Sequence, residues 1–295
     1  MKFTERPTEL SNVILYSLIS LVSAGFLDIA YKRSTFEPQS RGVFFFTGGL
    51  VWVIYQCVFS QLGNNAFRFD ETTLIYGMII GIIATLANIS LVESLSKLDV
   101  SLGSTIYRLN TIGVVVLSYF FIDEKLGLEK LIGIALGVTS IFIIYNHPKN
   151  NLQINYLKLF VSIAIFASIL RAVFGVLLKQ SIISGAQTDT IMLLTAICWM
   201  MGGLLYYLIQ EWPSRITLTK VSCGVTAGLL IITVANSLTE ALKYGEVSIA
   251  APIANLSFVI ALIISILLGM ERITIRKIVA IILAVGSVLF LAQAS

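Results

Sequence analysis

The chain has 295 residues, 57% of them hydrophobic and only 12% charged, with a mean hydropathy of +0.92 and a net charge of +4. A soluble domain carries about a quarter charged residues, so the composition excludes a soluble globular protein and predicts an all-α integral membrane protein. The small positive excess lies between apolar runs, which is ordinary membrane flanking and excludes a nucleic-acid surface.

Ten apolar runs follow one another, at about 12–31, 42–62, 73–96, 99–121, 128–146, 154–180, 189–210, 217–243, 247–269 and 275–293. About 20 apolar residues span a bilayer as a helix. Hydrocarbon offers no water to an open strand edge, so all ten are predicted as transmembrane helices. Run one carries Asp28 and, at its end, Lys32; run two carries Trp52 at its middle. Run three contains Gly77-x-x-x-Gly81, a spacing that lets helix backbones approach, and places Glu93 a turn from its end. At about 100° per residue, Ser101, Ser104, Thr105, Arg108 and Thr111 share one face of run four. Run five holds Gly133-x-x-x-Gly137, a candidate seam for a homodimer if the chain is not a monomer. A short polar linker, 147–153, then joins the first half, 1–146, to the second, 154–295. Run six carries Arg171 and run seven Trp199. On run eight Thr226, Thr233, Asn236, Ser237 and Glu240 form a polar stripe opposite Gly224, Gly228 and Ala235. Run nine brings Ser248, Pro252 and Asn255 together; Pro252 lacks a backbone donor and is predicted to bend the helix there.

The halves repeat at a constant offset of 147 residues without a gap. Lys32 matches Lys179, Trp52 matches Trp199, and Gly77 and Gly81 match Gly224 and Gly228. Ser90-Leu91-x-Glu93-x-Leu95 matches Ser237-Leu238-x-Glu240-x-Leu242, and Val100-Ser101 matches Val247-Ser248. Glu124 and Lys130 match Glu271 and Lys277. Shared apolar letters mean little among membrane sequences, but Trp, Lys and Glu at one offset mark a duplication. Five helices per copy make the second copy inverted relative to the first, the recurring build of secondary transporters with a site at the repeat interface. The duplication also argues against reading Val22-Ser23-Ala24 as a signal-peptide cleavage site, because the matching run six is internal.

Carried twice, the pattern of a Val-Ser opening a helix, an acidic residue after it and a small-residue helix resembles the EamA-type members of the drug/metabolite transporter superfamily. Here it reads Val100-Ser101, Asp123-Glu124-Lys125-Leu126 and Gly133-x-x-x-Gly137, then Val247-Ser248-x-Ala-Ala-Pro252 and Met270-Glu271-Arg272-Ile273. The resemblance covers nearly the whole chain. It implies ten helices, both termini on one side, and carriage of small organic solutes, often driven by an ion gradient. It also implies termini in the cytoplasm, against the Lys and Arg count, which is larger on the side opposite the termini and places them outside. The expected location is a prokaryotic inner membrane.

Charges inside the runs are the functional candidates, since each is costly in hydrocarbon and faces the bundle interior by default. They are Asp28, Glu93, Arg108, Arg171 and Glu240. A guanidinium fork suits a carboxylate or phosphate, so Arg108 and Arg171 either hold a solute anion or neutralise the internal acids. Glu93 and Glu240 stand near opposite membrane faces and either take a proton or cation in turn, or pair with Lys97 and Lys243. Thr233, Asn236 and Asn255 are expected to hydrogen-bond the solute, Trp199 to line the cavity or pack in the core, and Asp28 and Pro252 to serve coupling and gating. Glu124 and Glu271 read as anchors at helix junctions. Cys57, Cys198 and Cys223 read as buried thiols, and no metal or cofactor motif is present. These residues favour a secondary transporter of a small zwitterion or organic anion working by alternating access, with a proton as the candidate coupling ion. Efflux of an organic cation selected by the two glutamates is the second reading, and a membrane scaffold or receptor the third. One histidine, in the linker, gives an enzyme little to work with.

Overall fold

The computed structural model describes residues 6–34, 41–63, 66–96, 98, 106–144, 154–267 and 274–293. Every described element is a helix. The first half gives α1 (Arg6–Ser34), α2 (Arg41–Leu62), α3 (Glu71–Leu95), α4 (Asn110–Ile122) and α5 (Leu128–Ile144). The second gives α6 (Ile154–Ile183), α7 (Thr188–Tyr206, running on as a π-helical turn to Glu211) and α8 (Leu218–Tyr244). It ends with α9 (Val247–Asn255), α10 (Phe258–Leu267) and α11 (Ile275–Gln293). Among the described residues, 7 helices are long and apolar enough to cross a membrane.

Helix starts follow local chemistry. The Asp70 carboxylate accepts the Thr73 N–H (3.1 Å) and hydroxyl (2.8 Å) at the start of α3. Thr217, its match in the repeat, accepts the Lys220 N–H (3.4 Å) at the start of α8. Such caps satisfy N–H groups that the first turn leaves without partners.

The packing repeats with the sequence. Helix α1 packs on α8 as α6 packs on α3; α3 lies on α7 as α8 lies on α2. Helices α2 and α7 pack on each other, and so do α5 and α11. Two self-matching seams therefore mark an approximate two-fold relation between the halves. In one, Trp52 and its match Trp199 meet edge to face at 6.2 Å. In the other, the Ser140 hydroxyl donates to the Ala280 carbonyl (2.7 Å) and Ser287 donates to the Gly133 carbonyl (2.6 Å), the same bond made twice. The glycine spacing on α5 is thus filled inside the chain: Gly133 lies against Leu291 and Gly137 against Ser287. It is not a free dimer seam. The stripe on α8 packs as its small residues predict, since a Cβ on Gly228 would stand 2.8 Å from the Gly48 carbonyl oxygen of α2.

Two expectations need correction. Runs four and nine are not continuous helices. Helical order breaks at Leu109, just before α4, and at Leu256–Ser257, between α9 and α10, which are matching places in the repeat. At both the backbone tightens to i→i−3 bonds, Ile112 N–H to Leu109 O at 3.0 Å and Val259 N–H to Leu256 O at 3.0 Å. Nor does Pro252 make the break. It is buried within α9, a turn earlier. The break is held by side chains instead, because the freed Asn255 carbonyl receives a guanidinium.

Candidate functional site

The two breaks touch. Arg108, at the first, donates from Nη1 to the carbonyl of Asn255, its own match at the second (2.6 Å), and to the Ser257 hydroxyl (2.8 Å). Its Nη2 pairs with Asp28 Oδ2 of α1. The Asn255 side chain answers by donating to Asn110 Oδ1 (2.6 Å) and Thr111 Oγ1 (3.0 Å) at the start of α4. Arg108 is 8% exposed and its Nε has no partner. A guanidinium at that depth is tolerable only because a carboxylate and two neutral acceptors surround it.

Asp28 is different. Its side chain is 34% exposed, and among the described residues Oδ1 accepts no hydrogen bond. One carboxylate oxygen thus anchors Arg108 while the other has no hydrogen-bond donor among the described residues. Arg171 of α6 lies over the Phe174 ring at 4.7 Å, a cation–π contact, and among the described residues it has no carboxylate partner. Arg171 and Asp28 both lie within electrostatic reach of Tyr31 and Tyr107. Tyr31 donates to Asn88 Oδ1 (3.1 Å), which ties α1 to α3 there.

The remaining sequence candidates divide. Asn236 accepts from Gln56 Nε2 (3.3 Å) and belongs to the α2–α8 contact. Trp199 is 1% exposed and stacks edge to face on Phe45, so it packs in the core. Thr233 and Thr226 are exposed beside Leu229, and each hydroxyl returns to a carbonyl of its own helix (3.2 and 2.9 Å). The structure does not bring Thr233 to Arg108 or Asp28. Glu240 pairs with Lys243 on its own helix (2.6 Å). Glu93 pairs with Arg41 of α2 and accepts from the Tyr206 hydroxyl of α7 (2.8 Å), a bond across the two halves. Ser101, Ser104, Thr105, Lys97, Glu271 and the linker lie outside the described residues.

The profile of the EamA-like transporter family matches residues 11–146 and again 158–293. The chain belongs to the EamA-like transporter family. It is therefore a membrane transporter in class, built from two EamA repeats. No curated protein matches it in sequence. A solved structure described only as a crystal structure of a protein aligns with a TM-score of 0.74 at 14% identity, over 98% of this chain and 100% of that one. At that identity the likeness shows the fold alone.

Within this EamA-like chain, sequence reasoning missed three groups. Arg41 passes for a loop charge because it opens α2. Glu211 is 5% exposed at the end of α7 and accepts the N–H groups of Arg41 (2.8 Å) and Gly42 (3.1 Å), capping α2 from the other half. Asn110 and Ser257 are small polar residues beside the breaks. Their signal was their position, since they too are matched at the repeat offset.

Proposed function

We propose that this EamA-like chain is a secondary transporter that carries a small organic solute by alternating access. Ten spans, as two inverted halves of 1–146 and 154–295 joined by 147–153, would place its site at the crossing of the two helix breaks. Interrupted helices at a repeat interface are where transporters of this general build bind their cargo. One observation carries the reading: Asp28 keeps a part-exposed carboxylate at the crossing, while Arg171 lies over a ring with no carboxylate partner among the described residues. A zwitterion satisfies both, with its ammonium on Asp28 Oδ1 and its carboxylate on the Arg171 fork. An organic anion satisfies Arg171 alone. Arg108, Asn255 and Ser257 hold the geometry until solute arrives, and Asp28 is the natural place for a coupling proton. The cation reading, with Glu93 and Glu240 as selectors, is weakened by the partners both already have, Arg41 and Lys243. The membrane is proposed to be a prokaryotic inner membrane.

The test is thermal unfolding of the purified protein against amino acids, organic anions and primary or quaternary amines. A ligand that binds only the folded state raises the melting point. Stabilisation by amino acids or carboxylates, lost in Arg171→Gln, supports the reading. Stabilisation by amines alone, lost in Glu240→Gln and kept in Arg171→Gln, replaces it with cation transport.

A further inference from the structure

The junction between α8 and α9 carries more charge than its burial invites. Three ionic groups converge on it from three elements and meet a fourth, Glu246, within it. Glu124, from the turn before α5, accepts the N–H groups of Val247 (2.8 Å) and Ser248 (3.0 Å), capping α9 from the other half of the chain. It can do so because Asp123 adopts a left-handed conformation (φ 58°) that turns the chain after α4, a conformation Asp tolerates better than most residues. Lys130 of α5, 3% exposed, pairs with Glu246 and donates to the Lys125 carbonyl (2.7 Å). Lys179 of α6 donates to the carbonyls of Leu242 and Gly245 (2.7 Å each), closing the end of α8. The Glu124 charge acts on both lysines. Glu124 and Lys130 are buried and Lys179 half-buried, while Glu246, with a side chain 41% exposed, reaches the rim.

A passive loop between two apolar helices needs none of this. Apolar packing or a single neutral cap would hold it, and desolvating ionic groups is costly. The duplication keeps the same residue types 147 positions away, at Lys32, Asp99, Val100-Ser101, Glu271 and Lys277. Four identical polar pairs, Lys32/Lys179, Ser101/Ser248, Glu124/Glu271 and Lys130/Lys277, therefore belong to one junction and its counterpart. Of these, Asp99, Val100, Ser101 and Glu271 lie outside the described residues. From the observed junction, the 9-residue helix α9 runs directly to Asn255, whose carbonyl meets Arg108.

We propose that Glu124, Lys130, Lys179 and Glu246 form a releasable clasp that shuts this end of the solute path, with α9 as the lever linking it to the central site. The proposal rests on the alternating-access reading above. A charged clasp suits a gate because its groups are satisfied either by each other when shut or by water when open, whereas an apolar seam exposed on opening has no such second state. Solute at Asp28 competes with Arg108, loosens its hold on Asn255 and shifts α9, which carries Val247 and Ser248 away from Glu124.

The experiment follows access to α9 without needing the solute. In protein whose Cys57, Cys198 and Cys223 are replaced by alanine, Ala251→Cys, on α9 and 8% exposed, is labelled with a membrane-impermeant methanethiosulfonate in liposomes. Ala284→Cys, 3% exposed near the α5–α11 seam, reports general loosening. Lys130→Met or Glu124→Gln is expected to raise labelling at Ala251→Cys at least tenfold and leave Ala284→Cys within twofold. Should the buried lysine prove necessary for folding, Glu246→Gln at the rim is expected to give a smaller rise at the same position only. Labelling unchanged at Ala251→Cys, or raised equally at both positions, makes the cluster a structural staple and overturns the proposal. A protein that labels as expected yet binds no member of the solute panel keeps the clasp and loses the transport reading.

Discussion

The α5–α11 seam and the crossing at Arg108 are both places where the two halves meet, and only the first keeps their symmetry. At the seam each half donates one serine hydroxyl to one carbonyl, at 2.7 and 2.6 Å. At the crossing the matches are unequal. Arg108 faces Asn255, Asp28 is matched by Gly175, and Arg171 by Ala24. Duplication supplied the frame twice, while the charges at the crossing, Asp28, Arg108 and Arg171, were placed once. A scaffold gains nothing from unequal charges in its centre, where each is expensive. A binding site for a solute with two different ends requires them.

The sharpest way to break the comparison is to neutralise the centre. Asp28→Asn leaves Arg108 buried with only neutral acceptors, and uncompensated buried charge costs about 3–5 kcal/mol. Because the Asn255 carbonyl and Ser257 hydroxyl remain, we expect a loss of about 3 kcal/mol, read by denaturant unfolding in detergent. A loss no larger than that of a seam serine would mean that the crossing is no more special than the edge.

Arg171→Gln asks the complementary question. Arg171 has no carboxylate to abandon among the described residues, so stability without ligand should change by less than about 1 kcal/mol. Ligand-dependent stabilisation should vanish instead, a loss of about 2.7 kcal/mol at a hundredfold excess over Kd. Equal loss with and without ligand would return Arg171 to a structural role.

The frame was legible in the sequence because duplication prints it twice: Trp52 and Trp199, placed as a match, stack on each other in the core. The acidic residue Glu124 was legible as an anchor, but its target was not, since the α9 N–H groups it caps lie 123 and 124 residues away. The breaks at Leu109 and Leu256 were hidden because both residues are apolar and helix-forming, and at the second the Asn255 carbonyl is held by Arg108, 147 residues away. The polar stripe on α8 has partners the sequence did not show. Thr226 and Thr233 satisfy their hydroxyls on their own helix, so neither requires a wet surface.

At the seam the expectation is equality. Ser140→Ala and Ser287→Ala each remove one buried donor to a carbonyl, worth about 1 kcal/mol, and the two losses should agree within about half that figure. A marked difference in chemical unfolding would show that the symmetry of the edge is geometric only.

The smallest effect lies where matching positions share a task but not a chemistry. Asp70 and Thr217 both cap a helix, accepting the N–H groups of Thr73 and Lys220. Thr217→Ala should cost about 1 kcal/mol at any pH. Asp70 adds a pH dependence, because bonds from the Thr73 hydroxyl and backbone hold its carboxyl below the usual value. A carboxyl lowered in the folded state contributes stability that is present above its unfolded pKa and lost as pH falls through the folded one. The α3 cap should therefore weaken in acid while the α8 cap does not. Asp70→Thr should retain the cap and flatten that acid limb, seen as a smaller drop in melting temperature between neutral and acidic buffer. An unchanged limb would assign the acid sensitivity to other carboxylates.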